Sequence, residues 1–225
     1  MIGRFEGFGE DAYGFLQAID FHQSREWFAE NCALYETQLR EPLLNFCTEG
    51  AEIARNVGCN VRFDAKKGPF RINRDVRFSN DKRPYNRHVS AVMSPDGTKR
   101  SFGVLYVHFG LDEQFFAAGY WALPKDELTL FRRHVLTYPD RYRALRDELG
   151  ECGLRFDDED ALKRLPRGWD DGGEEDLGDA LRLRGFTVDR PVDRNTIFDR
   201  TLLREFERFA KDATPLLQWG AVVLG

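Results

Sequence analysis

No stretch of this chain stays apolar for the roughly 18 to 20 residues that crossing a bilayer requires. Its first residues, Met1-Ile2-Gly3-Arg4-Phe5-Glu6, lack the charged and then apolar character of a secretory leader. Both absences predict a cytoplasmic protein with no membrane partner. The four cysteines, Cys32, Cys47, Cys59 and Cys152, contain no C-x-x-C pair and no histidine at zinc-ligand spacing. Buried free thiols are therefore expected, and no metal. There is no G-x-S-x-G elbow, no Walker loop, no dinucleotide glycine fingerprint and no H-E-x-x-H, so no cofactor can be assigned. Gly7-Phe8-Gly9 follows no strand and is not a phosphate loop. Low-complexity tracts and internal repeats are missing too, which excludes a disordered chain or a repeat array.

What is present suits one folded domain over residues 1–225. The 19 Phe among 225 residues imply an aromatic-rich interior. A formal net charge of −5 argues against general affinity for nucleic acid, but the charge is unevenly spread. Residues 62–100 hold 11 Lys and Arg against 4 Asp and Glu, a local +7 that leaves −12 for the rest. A basic centre in an acidic chain signals either internal pairing or an anion site.

The hydrophobic period predicts an α+β domain: helices at the N-terminus, a central antiparallel sheet, and C-terminal helices packed on it. Helices are expected over 9–22, from a Ser24 N-cap through Leu39, and from Pro42 to about Asn56. The period then falls to 2. Val89–Met93, Phe102–Phe109 and Gln114–Trp121 are so closely spaced that they predict a meander, with Tyr120 and Trp121 in its core. Further helices are expected from Pro124, over 139–149, from an Asp176 cap, and over Thr201–Trp219, with a strand at Phe186–Val188. Residues 147–179, with 13 acids, read as a solvated connection.

Chemistry concentrates in Phe70-Arg71-Ile72-Asn73-Arg74-Asp75-Val76-Arg77-Phe78-Ser79-Asn80-Asp81-Lys82-Arg83-Pro84-Tyr85-Asn86-Arg87-His88. Residues 74–78 fit an extended or a helical geometry equally. From Arg71 to His88 there are six cations and two acids, so pairing within the stretch neutralises two of the six. The remainder face solvent, acids from elsewhere, or an anion. Arg offers a planar fork for phosphate or carboxylate, Lys82 a point charge, and Ser79 and Tyr85 hydroxyl donors. The ligand candidates are Arg71, Arg74, Asp75, Arg77, Ser79, Asp81, Lys82 and Tyr85, for a small phosphorylated or carboxylated molecule. Arg83 and Arg87 read as surface charges. The competing readings are a purely structural Arg/Asp network, and a module whose basic motif meets an acidic protein or a nucleic acid.

If a reaction occurs here, Asp75 or Asp81 is the candidate base and His88 the candidate acid or base. His108 alternates with Tyr106 in a predicted strand, so His88 and His108 can meet across adjacent strands. Lys163-Arg164-Leu165-Pro166-Arg167-Gly168-Trp169 is a second basic cluster. Lys163 and Arg167 are candidates for a lid over the same pocket; the alternative is a turn whose Trp169 plugs the core.

Arg25-Glu26-Trp27-Phe28, Phe70 to Tyr85, and Leu162 to Trp169 together resemble the bacterial and fungal family called domain of unknown function 2461, from about Phe8 to Trp219. The resemblance implies a single cytoplasmic domain and marks these motifs as family features, but it implies no reaction or ligand. Asn86 departs from the Lys-like residue expected after the Tyr.

Overall fold

A computed structural model describes residues 3–77 and 80–225. Helix α1 spans Ala12–His22 and α2 Arg25–Tyr35, the latter capped by Ser24, whose Oγ accepts from the Trp27 amide at 3.1 Å. No break separates α2 from α3 (Glu41–Asn56). The chain passes through a wide π turn, Glu36–Arg40, and Pro42 sits in the first turn of α3, as expected. Pro42 has no N–H for the Gln38 carbonyl four residues back, and the Gly9 amide takes that acceptor instead, at 3.1 Å. The proline thus frees the group that ties down the N-terminal strap.

Four strands follow as a meander in the order β1-β2-β3-β4: His88–Met93, Val104–Gly110, Gln114–Tyr120 and Phe186–Pro191. All neighbours are antiparallel, with Ser90 opposite His108 and His108 opposite Phe115. Between β3 and β4 run α4 (Lys125–Thr137), α5 (Pro139–Glu151) and α6 (Glu175–Arg182). A 3-10 turn at Arg194–Phe198 leads into α7, Thr201–Leu224. Asp176 does not cap α6. It lies inside the helix and accepts from Arg143 Nε of α5 at 2.8 Å.

Alternation divides the sheet into two faces. Val89, Ala91, Leu105, Val107, Phe109, Phe116, Ala118 and Val188 point to the core, which α3 and α7 cover. The 3.6-residue period of α3 supplies Leu43, Phe46, Cys47, Ala51 and Ala54, and that of α7 supplies Phe206, Phe209, Ala213 and Leu217. Phe46 stacks on Phe116 at 6.0 Å and meets Phe206 edge-on at 5.3 Å. Each fully buried Phe contributes about 1.5 to 3 kcal/mol. Tyr120 joins this core, donating to the Leu217 carbonyl at 2.6 Å over Gly220, where a Cβ would come within 2.1 Å of the tyrosine ring.

Trp121 departs from expectation: one residue past β3, its indole is 75% exposed. Trp169 is half-buried and lies outside the core, so it is no plug. All four cysteines are free, but only Cys47 and Cys59 are buried; Cys152 is at the surface. Among the described residues no helix is long and apolar enough to cross a membrane.

Candidate functional site

The face of β1 and β2 turned away from the core carries His88, Ser90, Tyr106 and His108. The central motif is laid across it. Phe70 donates its amide to the Ser90 carbonyl at 2.9 Å, placing the motif's start along the edge of β1. The chain then doubles back: the Arg74 amide bonds the Pro84 carbonyl at 2.8 Å and the Asn86 amide bonds the Ile72 carbonyl at 2.7 Å. Ile72 and Tyr85 anchor this turn by facing inward. Residues 74–77 are neither ladder strand nor helix, and Phe78 and Ser79 lie outside the described residues. The Ser79 hydroxyl expected as a ligand donor thus lies outside the described residues.

Carboxylates account for four of the six cations. Arg77 forks onto Asp75, with Nε to Oδ1 at 2.9 Å and Nη2 to Oδ2 at 2.6 Å. That hydrogen bonding holds the Asp75 carboxyl down at about 2. Arg83 and Arg74 both bond Asp81, Arg74 Nη1 at 2.7 Å, and hold it well below the usual carboxylate range. Arg83 also reaches Asp20 of α1 at 3.0 Å, and Arg87 reaches Asp112 at 2.7 Å and Asp20 at 3.5 Å. Lys82 spends its ammonium on the Val76 carbonyl at 2.9 Å. Arg71 has no ion pair and no side-chain hydrogen bond among the described residues.

Arg71 stands at a cavity of about 500 Å³ whose lining includes Phe70, Asn73, Arg74, Asp75, Asn86, His88, Ser90, Lys99 and Tyr106. A second recess of about 300 Å³ shares Arg74, Asn86 and His88 with it and continues to Asp81, His108 and Asp112. Together they make one groove along the sheet. Lys99 comes from the loop between β1 and β2. Its Nζ donates to the Pro69 carbonyl at 2.6 Å and lies 5.0 Å over the Phe70 ring. Burial, and then the nearby Arg71 charge, push the Lys99 pKa down. Neither Lys99 nor Arg71 makes an ion pair among the described residues, though Arg71 lies near enough to Asp75 to help hold that carboxyl down.

The floor is aromatic and polar. His88 and His108 rings lie 4.1 Å apart, His108 stacks on Phe115 at 4.7 Å, and the Tyr106 hydroxyl meets His108 Nδ1 at 3.0 Å. Burial lowers the pKa of both histidines, so they are neutral imidazoles at pH 7. The burial that keeps these rings neutral also weakens them as bases, and Asp75 and Asp81, each locked in an ion pair, are poor bases as well. No group of three potential ligands capable of holding a metal ion occurs among the described residues.

The expected site residues are thus only partly gathered. Arg71, Arg74, Asp75 and His88 line the larger cavity, and Asp81 and Tyr85 the smaller. The Tyr85 ring, 4% exposed, is stacked on Phe28 at 4.7 Å and serves as an anchor. Arg77 and Lys82 line neither recess. Lys163 and Arg167 line neither as well, and the adjacent Ala161 and Leu162 border a different cavity, beside Trp121. Lys99, Ser90 and Tyr106 carry no motif; strand alternation and the short β1–β2 loop are the signals that place them here.

Helices flanking one face of a four-stranded antiparallel meander, with an arginine-rich turn bridging a polar groove on the other, define a single-domain α+β protein. The chain belongs to the family described as Conserved hypothetical protein (DUF2461), whose model matches residues 11–219. Comparisons with the curated proteins and with the solved structures find no match.

Proposed function

We propose that the groove binds a small phosphorylated or carboxylated molecule, with Arg71 and Lys99 as the primary anion contacts. One observation carries this reading. Two cations that form no ion pair among the described residues, the acid near Arg71 being Asp75 already forked by Arg77, approach closely enough for one to depress the other's pKa, at the mouth of a cavity of about 500 Å³. Like charges held together unpaired are destabilising until an anion shares them. Arg71 supplies a planar fork and Lys99 a point charge, while Ser90 and Tyr106 offer hydroxyls from the floor. Phe70 and the His88 ring give an organic ligand flat surfaces to rest on. Should the ligand be turned over, His88 is the group placed to move a proton. A cytoplasmic setting suits the four free thiols.

A thermal-shift titration with inorganic phosphate and a pool of phosphorylated and carboxylated metabolites tests the reading, using wild type, Arg71→Gln and Lys99→Gln. Stabilisation of wild type that either substitution abolishes supports it. No stabilisation by any anion, or equal stabilisation of all three proteins, overturns it.

A further inference from the structure

A separate cavity of about 580 Å³ opens where β3 ends and β4 begins, and none of its lining residues lines the groove. Arg132 of α4 forms part of its wall and is only 8% exposed. Its guanidinium makes one hydrogen bond, from Nη2 to the Leu183 carbonyl at 2.9 Å, and its buried Nε has no partner. No carboxylate lies within ion-pairing distance of it among the described residues, and burial pushes its pKa down. A buried guanidinium in this state lacks the acceptors that make burial tolerable.

Beside it stands Trp121, its indole open to solvent on the same cavity. The chain turns directly after it through Ala122, whose φ of +50 is a left-handed conformation that costs energy for any residue with a Cβ. That turn directs the chain away from β3 and leaves the tryptophan unburied. Leu123 and Leu128 add apolar surface, Asp157 and Asp160 add negative charge, and Lys125 and Arg184 add positive charge.

We propose that this cavity binds a small planar aromatic carboxylate, the ring stacked on Trp121 and the carboxylate accepting from Arg132. The ring matches the exposed indole and the leucines. A single negative charge matches a lining in which Lys125, Arg132 and Arg184 exceed Asp157 and Asp160 by one positive charge, whereas a phosphate dianion would exceed it.

Calorimetry and tryptophan fluorescence with naphthoate, and with naphthalenemethanol as its uncharged counterpart, test the assignment on the full chain. Naphthoate is expected to bind and quench, and the alcohol to bind about tenfold more weakly or not at all, as expected for loss of a charged hydrogen bond. Arg132→Met and Trp121→Ala should each weaken naphthoate by about tenfold or more, and Arg71→Gln should leave it unchanged. Trp121 is a surface residue, so its variant reads the site even if Arg132→Met fails to fold. No binding to wild type, equal binding of acid and alcohol, or undiminished binding by Trp121→Ala overturns the proposal. Loss on Arg71→Gln instead would move the ligand to the groove and overturn it as well. A groove that binds no anion leaves these outcomes unaffected.

Discussion

His88 and His108 place their imidazoles 4.1 Å apart, tilted by 33°, on the outer face of the sheet. The strand register brings them together: His108 pairs with Ser90, and side chains two residues apart share a face, so His88 is its diagonal neighbour. Burial penalises charge on either ring, and a proton on one opposes a proton on the other. Both pKa values lie below the ordinary 6.5, that of His108 at about 3.

Acid should therefore destabilise the fold through these rings. A histidine with a depressed folded pKa is protonated first in the unfolded chain. Its contribution is complete above the unfolded value of 6.5 and is lost as pH falls from there toward the folded value. One such group gives a slope of about 1.4 kcal/mol per pH unit. Urea unfolding between pH 7 and about 4.5 should show a slope of between one and two protons. His108→Phe, which keeps the stack on Phe115, should remove one of them. That window lies above the range in which the ion-paired Asp75 and Asp81 titrate. An unchanged slope in the variant would exclude His108 as the group.

Tyr85 separates anchoring from binding. Its ring is buried against Phe28, and its backbone is held by Gln23, which accepts from the Tyr85 amide at 3.0 Å and donates to its carbonyl at 3.3 Å. Tyr85→Ala should cost about 3 to 5 kcal/mol in chemical denaturation. Tyr85→Phe keeps the packing and should leave anion-dependent thermal shifts within about twofold of wild type. A large loss of anion response in the Phe variant would make the hydroxyl a ligand contact.

Gln23 should matter more than its place at the end of α1 suggests. It adopts φ 38, in the left-handed region, where it closes the helix and grips Tyr85 with both ends of its amide. Gln23→Ala keeps the strained backbone and loses both bonds, for a cost of about 1 to 3 kcal/mol. Gln23→Gly loses the same bonds but tolerates the conformation, and should recover part of that cost. Equal unfolding midpoints for the two variants would mean the backbone strain contributes nothing.

The helices and the meander were legible because their signals are local. Ser24 announces α2, and alternation announces β1 to β3. The central motif was legible as a concentration of charge, but not the fate of each charge. Asp20 and Asp112 neutralise Arg83 and Arg87 from other elements, and nothing in the motif points to either acid. Lys99 enters the groove only because a short loop returns it to the motif's start. Trp121 carried a misleading signal, since an aromatic ending an alternating strand reads as core; the left-handed Ala122 after it marks where the strand pattern stops. Pro42 was legible as a first-turn proline of α3; the π turn that joins α2 to α3 without a break was not, because the carbonyl the proline leaves open is claimed from far away, by the Gly9 amide.

Arg71 allows the sharpest separation of stability from binding. Its side chain has no hydrogen bond or ion pair among the described residues, so Arg71→Gln removes only its longer-range attraction to Asp75 and its repulsion of Lys99. Surface substitutions of this kind usually stay within about 0.5 kcal/mol. The ligand-free variant should unfold close to the wild-type urea midpoint, because the relief of Lys99 opposes the lost attraction to Asp75. Its response to phosphate or to a carboxylated metabolite should fall by about tenfold or more, the usual size of a lost charge-assisted contact. An NMR titration of Lys99 would show the same relationship from the other side, with the Lys99 pKa rising toward its ordinary value in Arg71→Gln and rising in wild type when an anion binds. A variant that loses stability but keeps its anion response would mean that Arg71 holds the turn in place and that the anion lies elsewhere.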